Sequence, residues 1–259
     1  MSAKPIVIGV IPSRYASQRM PAKPLVNLDG KPMVQRVYEQ AKKSRLLDRV
    51  VIATDDIRIE EAVHRFGGEV MLTSQEIESG SDRVAAVALN MAGDIFVNIQ
   101  GDEPLIAPEM IDQGVKLLLD NTSAPVGTLI KQISTQEELF NPNVVKVVLT
   151  HSGYAIYFSR ATVPFIRGEA DGRRWFERHT FYKHVGLYIF QRSFLMQYTQ
   201  LPVSQLEKAE KLEQLRILEA GYKIITGITT YDSISIDTPE DVIRVVEILR
   251  QTSPGRKTK

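Results

Sequence analysis

Cysteine is absent from this 259-residue chain, and no stretch reaches the roughly eighteen consecutive apolar residues of a membrane-spanning helix. The missing thiols exclude disulfides, cysteine zinc sites and thiol catalysis. They are compatible with a reducing cytoplasm, where we expect the protein to be located. The apolar run over residues 6–11 is too short for a signal peptide or a membrane span, so we expect no membrane insertion.

An excess of charge of one sign is also missing. Lysine and arginine total 32 against 31 aspartates and glutamates, which excludes the global basic surface that attracts nucleic acid. Hydrophobic residues make up 43% of the chain and charged residues 24%, as in an ordinary globular protein. The length fits an α/β fold of one domain with a subsidiary lobe, and we predict a single domain over residues 1–259.

Short apolar runs alternate with stretches of helical periodicity in the first half of the chain. This alternation is typical of βαβ units, in which a mostly parallel sheet is covered by helices on its two faces. The predicted strands cover 6–11, 49–54, 69–73 and 94–100, and the predicted helices cover 32–44, 57–66 and 82–91.

The second half contains signals for antiparallel strands. Apolar runs at 144–150 and 154–159 flank the turn sequence "HSG", and a further strand is predicted at 184–190. The sequence "SQLE" from Ser204 has the spacing of a capping box and predicts a helix that ends at Gly221. The last helix is predicted to begin with Thr238 as its N-cap.

The segment 167–183 is charged and aromatic. It is either a mobile loop or an arm that buries Trp175, Phe176 and Phe181 against a partner. Of the two, we favour an arm at a dimer interface.

Polar residues follow each predicted strand of the first half. In open α/β sheets the ligand binds beyond the carboxyl ends of the strands, so these residues are expected to meet at one edge. Cations, hydroxyls and carboxylates together suit a nucleoside triphosphate with magnesium. The residues are Ser13, Arg14, Arg19 and Lys23, then Thr54, Asp55 and Asp56, then Thr73 and Ser74, and then Gln100, Gly101, Asp102 and Glu103.

Several motifs of other enzyme classes are missing. There is no G-x-x-x-x-G-K-[ST] and no G-x-G-x-x-G after the first strand, so kinase-like and dehydrogenase-like functions lose support. Without further information, the "ESGSDR" turn at 78–83 is better explained by a helix cap, and His184 by a packed or hydrogen-bonded histidine. Glu213 and Gln214 would ordinarily form the polar face of a helix.

A set of motifs, in order from about residue 6 to 250, resembles the 3-deoxy-manno-octulosonate cytidylyltransferases, also called CMP-Kdo synthetases. They are "IPSRYASQRMPAKPL", "ATDD", "SGSDR", "NIQGDEP", "YFSRATVP", "KHVGLY", "EKLEQLRILE" and "DTPED". The resemblance implies a GT-A-like nucleotidyltransferase fold, with a mostly parallel sheet flanked by helices and a smaller mixed or antiparallel dimerisation lobe. It also implies a homodimer that uses Mg²⁺ to join CTP and Kdo into CMP-Kdo and pyrophosphate for lipopolysaccharide synthesis.

The resemblance also implies roles for individual residues. Lys23, Asp102 and Asp237 would be catalytic, with the two aspartates as metal ligands, and residues 140–200 would form a dimerisation and sugar-binding subregion. CTP would be bound by Ser13, Arg14, Lys23, Thr73, Ser74, Ser79, Gly80 and Arg83. Kdo would be bound by Arg19, Gln100, His184, Tyr188, Glu213 and Gln214.

The chain departs from the family pattern at Ala22 and Ser81, where glycine and threonine are common. Alanine at position 22 raises the question of whether the loop can adopt a positive φ there. Two alternatives remain open: a cytidylyltransferase for another sugar acid, such as 8-amino-Kdo or a sialic acid, and a catalytically silent nucleotide-binding protein. Retention of Lys23, Asp102 and Asp237 argues against the second.

Overall fold

The protein is described from a computed structural model, and the structure describes residues 4–16, 20–77 and 79–252. The strands are β1 (Val7–Ser13), β2 (Asn27–Leu28), β3 (Lys31–Pro32), β4 (Arg49–Thr54), β5 (Val70–Leu72), β6 (Ile95–Asn98), β7 (Val126–Gln132), β8 (Lys146–Leu149), β9 (Ala155–Ser159), β10 (Tyr182–Gln191) and β11 (Ile224–Ile228). The helices are α1 (Met33–Ala41), α2 (Ile57–Arg65), α3 (Gly80–Asn90), α4 (Pro108–Asp120), α5 (Gln136–Phe140), α6 (Trp175–Arg178), α7 (Arg192–Tyr198), α8 (Gln205–Glu210), α9 (Gln214–Glu219) and α10 (Pro239–Thr252). Short 3-10 turns cover Lys23–Leu25 and Gly172–Arg174.

The chain divides into two compact units. The first comprises Met1–Asp112 and Asp232–Lys259, and the second comprises Gln113–Tyr231. Among the described residues, no helix is both long and apolar enough to cross a bilayer.

The first unit is built on a parallel sheet with the strand order β6-β1-β4-β5. All four predicted strands of the first half are confirmed. The unbroken apolar sequence of β1 fits its burial, since helices cover a parallel sheet on its faces. The register pairs Ser13 with Thr54 at the carboxyl ends of β1 and β4, so the residues that follow these strands begin at the same edge.

Helix α3 begins two residues earlier than the periodicity predicts. Ser79 is its N-cap, and the Ser79 hydroxyl accepts a hydrogen bond from the Asp82 backbone N–H at 3.0 Å. The cap satisfies one of the free amides at the helix start, so the small-residue turn at 79–81 joins the helix.

The second unit contains a mixed sheet, as predicted. Strand β7 pairs with β11 in parallel and with β10 antiparallel, while β8 pairs antiparallel with both β10 and β9. The predicted hairpin is thus confirmed as β8 and β9. Strand β10 is irregular between Val185 and Tyr188, where the register shifts against β7. Strands β7 and β11 and helix α4 were not predicted from the sequence.

The expected burial of the aromatic segment against a partner is wrong for Trp175 and Phe181. Both side chains are buried within the chain itself, in a cluster with Ile133 and Leu139. The Trp175 indole N–H also donates to the Glu169 carbonyl at 3.0 Å. The reason is that Ile133 and Leu139, from an earlier part of the second unit, supply the apolar surface that covers them, so no partner is needed.

The single helix predicted from Ser204 to Gly221 is also wrong, because it is broken into α8 and α9. Its capping box is confirmed, but Lys211 adopts φ 55° and ends α8. The break allows the chain to fold back so that Arg216 donates to both carboxylate oxygens of Glu207, at 2.6 and 2.7 Å. This nearly buried, bidentate ion pair stabilises the turn between the two helices.

Candidate active site

A lysine joins two carboxylates in the first unit. Lys23 Nζ donates to Asp102 Oδ2 at 2.7 Å and to Asp237 Oδ1 at 3.1 Å. Asp102 follows β6 and Asp237 precedes α10, so three distant segments meet here. The Ile236 backbone N–H also donates to the Asp102 carbonyl at 3.0 Å, which fixes these two segments side by side.

This lysine and the two aspartates line a cavity of about 540 Å³, which is within the usual range for small-molecule sites. The Lys23 side chain is 13% exposed and those of Asp102 and Asp237 are 32% and 41% exposed, so a ligand can reach the carboxylates. The other polar residues that line the cavity are Ser13, Arg14 and Gln100. With Gly101, which also lines the cavity, the structure therefore brings together seven of the residues singled out from the sequence.

Gly101 allows the ends of β1 and β6 to lie this close. A Cβ atom at position 101 would be 2.5 Å from the Pro12 carbonyl oxygen and 3.2 Å from Ser13 Oγ. The first distance is far below van der Waals contact, and the neighbouring atom is backbone. The sequence predicts Gly101 at this edge, because "QGD" follows a strand, but it does not predict the close contact with Pro12.

The loop before Lys23 adopts the strained conformation that Ala22 had put in question. Ala22 has φ 56° and ψ 25°, and its backbone N–H donates to the Tyr15 carbonyl at 3.0 Å, which closes the loop. Left-handed backbone is unfavourable for alanine, so the contacts around it must offset the strain. Arg19, predicted to bind the sugar acid, lies outside the described residues.

A second contact holds this loop and was not predicted. The Arg58 guanidinium lies 3.3 Å from the centroid of the Tyr15 ring. Asp56 fixes that guanidinium with hydrogen bonds of 2.8 Å from Nε and 2.6 Å from Nη2. A cation over an aromatic face is attractive, so Arg58 stabilises Tyr15 at the base of the loop.

Arg83, predicted to bind cytidine, is buried and already has several protein partners. Its Nη2 donates to Asp55 Oδ2 at 2.9 Å and to the Ile77 carbonyl at 3.0 Å, and its Nη1 donates to the Thr73 hydroxyl. Burial lowers the pKa of the guanidinium, the Asp55 charge opposes this, and the Arg14 charge adds to it. Arg83 therefore shapes the segment between β5 and α3, where Thr73 and Ser74 lie.

The start of α3 lies beside the cavity. A Cβ at Gly80 would be 3.9 Å from Pro12 Cγ, and Pro12 lines the cavity. Below it, Asn98 is fully buried, and its Nδ2 donates to the Ser81 hydroxyl at 3.5 Å. Serine at position 81 thus keeps the hydroxyl that threonine would supply. Among the described residues, Asn98 Oδ1 has no hydrogen-bond partner.

Four predicted sugar contacts lie in the second unit, and three of them influence one another. The rings of His184 and Tyr188 are 5.2 Å apart between centroids. Burial raises the pKa of the Tyr188 hydroxyl well above its usual value, and the nearby Glu213 charge raises it further. Gln214 is 2% exposed, and its Nε2 has no hydrogen-bond partner in the described part of the chain. A buried amide donor left unpaired is costly, so Gln214 is a candidate to contact a bound ligand.

The donor set fits a magnesium ion. Mg²⁺ prefers hard oxygen ligands and commonly takes one or two carboxylates together with substrate phosphates. Asp102 and Asp237 converge on one ammonium group, so their oxygens are close enough to bind one ion. Within the described ranges, no group of three or more acidic or histidine side chains forms a metal cluster, so the remaining ligands would be water and phosphate.

Known proteins match nearly the whole chain. The family model described as "Cytidylyltransferase" matches residues 8–224. A 3-deoxy-manno-octulosonate cytidylyltransferase of Geotalea uraniireducens is 48% identical over 95% of this chain and 99% of its own length. One from Parabacteroides distasonis is 51% identical over 93% and 97%. The solved structure of CMP:2-keto-3-deoxy-manno-octonic acid synthetase complexed with CTP is 40% identical, with a TM-score of 0.89 over 96% of this chain and 100% of that one.

The strain at Ala22 makes a testable prediction. Ala22→Gly should raise the free energy of unfolding by about 0.5 to 1 kcal/mol. Glycine avoids the left-handed penalty, and part of that gain is offset because glycine has more conformational entropy in the unfolded chain. Chemical denaturation measures the change. Ala86→Gly, inside α3, is the matched control and should lower the stability by about 1 kcal/mol. Lower stability in Ala22→Gly would contradict the strain.

Proposed function

The chain belongs to the cytidylyltransferase family of the 3-deoxy-manno-octulosonate cytidylyltransferases, and we propose that it activates Kdo (3-deoxy-D-manno-octulosonate) with CTP. The products are CMP-Kdo, which the family supplies for lipopolysaccharide synthesis, and pyrophosphate. The observation that carries the proposal is the cavity in which Lys23 joins Asp102 and Asp237.

The first unit would bind CTP. Arg14 and Lys23 line the same cavity and would bind the triphosphate, with Ser13 donating through its hydroxyl. The segment from β5 to α3 would bind the cytidine, with Arg83 fixing its shape. The residues on the cytidine side are Thr73, Ser74, Ser79 and Gly80.

Asp102 and Asp237 would hold Mg²⁺ against the phosphates. Lys23 is their partner in the structure, and phosphate oxygens would draw the ammonium away because they are also strong acceptors. When bound, the ion neutralises phosphate charge and aligns the reacting groups. Mg²⁺ would then replace the Lys23 ammonium as the cation that offsets the charge of the two carboxylates.

The chemical step needs no covalent enzyme intermediate. The anomeric hydroxyl oxygen of Kdo attacks the α-phosphorus in line, the bond to the β-phosphate oxygen breaks, and pyrophosphate leaves; the hydroxyl proton passes to solvent. Lys23 stabilises the negative charge that develops on the phosphates. Positioning and electrostatics therefore provide the catalysis.

Polar groups of the second unit would bind the sugar acid. The unpaired Gln214 amide can donate to a hydroxyl, and Glu213 can accept from one. Arg19 is assigned to the sugar carboxylate on the resemblance alone. The remaining proposed contacts are Gln100, His184 and Tyr188.

The substrate assignment is tested with purified protein, CTP, Mg²⁺ and a panel of sugar acids. Pyrophosphate release should be fastest with Kdo. EDTA should stop the release, because it removes the Mg²⁺ that the two carboxylates are proposed to hold. The panel includes 8-amino-Kdo and a sialic acid as matched controls. Release with either of these but not with Kdo would refute the substrate assignment, and turnover in EDTA would refute the magnesium site.

Asp102→Asn tests the metal ligand. It should lower kcat by at least about a hundredfold, because a bound metal ion contributes several kcal/mol of charge stabilisation and the amide holds it poorly. The melting temperature should stay near that of the wild type, since the amide oxygen can still accept from Lys23. Asp120→Asn, at an exposed acid paired with Lys116, is the control and should keep full activity. Full activity in Asp102→Asn would contradict the assignment.

We also propose that the second unit forms a homodimer with a second copy of the chain, within the subregion of residues 140–200. Phe165 is 73% exposed and Phe140 is 48% exposed, and both contact Trp175. Strand β9 pairs only with β8 among the named strands, and its Ile156 is 56% exposed. These residues give the unit apolar surface that a second copy would cover.

Phe165→Ser should weaken the dimer at least about fivefold, because exposed aromatic side chains contribute strongly to interfaces. Sedimentation velocity over a concentration series measures the dissociation constant. Leu89→Ser removes an exposed side chain of the first unit and should leave the dimer unchanged. A monomeric wild type, or an unweakened Phe165→Ser dimer, would contradict the proposal.

A further inference from the structure

Thr128 contacts both His184 and the irregular part of β10. Its side chain is fully buried on β7. Its hydroxyl oxygen lies 3.0 Å from His184 Nε2, 2.8 Å from the Leu187 carbonyl and 3.2 Å from the Val185 carbonyl. A single hydroxyl therefore serves two carbonyl groups and one imidazole nitrogen.

The proton count at this hydroxyl decides the tautomer of His184. A threonine hydroxyl has one proton to donate, and carbonyl oxygens can only accept. If Nε2 carried no proton, it and the two carbonyl oxygens would be three acceptors around this single proton, so we assign the hydroxyl proton to the Leu187 carbonyl, which is the shortest of the three contacts. The hydroxyl must then accept from His184, which places the imidazole proton on Nε2.

The opposite nitrogen of the ring is consequently an acceptor. Burial lowers the pKa of His184 to about 3, so the ring is neutral at physiological pH and Nδ1 keeps its lone pair. The ring is held by edge contact with Phe158, at 5.1 Å between centroids, and by the Tyr188 ring. The His184 backbone N–H donates to the Val145 carbonyl at 2.8 Å, so both backbone and ring are fixed.

We propose that Thr128 is a positioning residue that fixes His184 as the Nε2–H tautomer, so that Nδ1 accepts a hydrogen bond from a hydroxyl of the sugar acid. The proposal deepens the proposed function, since it rests on His184 as a sugar contact. It also defines a selectivity: Nδ1 binds a donor group and rejects a carboxylate, whose oxygens would meet its lone pair. In the other tautomer Nδ1 would carry the proton, so it would donate to an acceptor such as a carboxylate.

The first experiment reads the tautomer directly. The protein is labelled with ¹⁵N-histidine, and the His184 signal is identified by its loss in His184→Asn. Long-range ¹H–¹⁵N correlation spectra of the wild type should show a protonated Nε2 and an unprotonated Nδ1. A proton on Nδ1 would overturn the proposal, whatever the enzyme's substrate.

The second experiment compares Thr128→Val, which keeps the shape but loses the hydroxyl, with Thr128→Ser, which keeps the hydroxyl. Thr128→Val should raise KM for Kdo roughly two- to tenfold, the value of one lost hydrogen bond, with kcat and KM for CTP within about twofold of wild type. Its His184 signal should show loss of the pure Nε2–H form. Thr128→Ser should restore the wild-type values of KM and the tautomer.

The outcomes separate this proposal from the proposed function. Absence of turnover with Kdo in the wild type would sink the substrate assignment, while the spectra would still decide the tautomer. An unchanged KM and tautomer in folded Thr128→Val would overturn the role of Thr128. If Thr128→Val does not fold, the wild-type spectrum and the KM of Thr128→Ser decide the matter.

Discussion

The site of the first unit depends on the contact of one ammonium group with two carboxylates. Asp102 lies 79 residues after Lys23 in the sequence, and Asp237 lies 214 residues after it. The contact of these three side chains fixes the walls of the cavity. Without Lys23, two partly buried negative charges would lie side by side, which is unfavourable. The ammonium thus stabilises the same two carboxylates that are proposed to bind a metal ion. In that proposal, Lys23 contacts the phosphate oxygens instead when CTP is bound.

The parallel strands of the first unit could be predicted because their signal is local. Strands β1 and β4 consist mainly of buried apolar residues, and short apolar runs that alternate with helical segments are typical of a parallel sheet. Ser13 and Asp102 could be placed at one edge because parallel strands end at the same side. The contact of Asp237 with Lys23 could not be deduced in that way, since it depends on the return of the chain after the second unit. The family resemblance named Asp237 as a metal ligand together with Asp102, but it did not give the contact with Lys23.

The features that escaped prediction depend on contacts between distant residues. The segment from 205 to 219 has uniform helical propensity, yet it breaks at Lys211, and Arg216 folds back onto Glu207. Trp175 and Phe181 are surrounded by apolar residues of their own chain, so their sequence alone could not distinguish an internal core from an interface. Propensity and composition describe what a segment can do, and its neighbours decide between the possibilities.

Gly101 has a consequence for how this fold can change during evolution. Because the backbone of Pro12 leaves no room for a side chain at position 101, the two loops that follow β1 and β6 share one wall. A shift of either strand end would therefore move the segment that carries Arg14 and the segment that carries Asp102 together. New specificities are therefore expected to arise in segments that do not share this wall, such as the one that carries Glu213 and Gln214, while the wall itself drifts slowly.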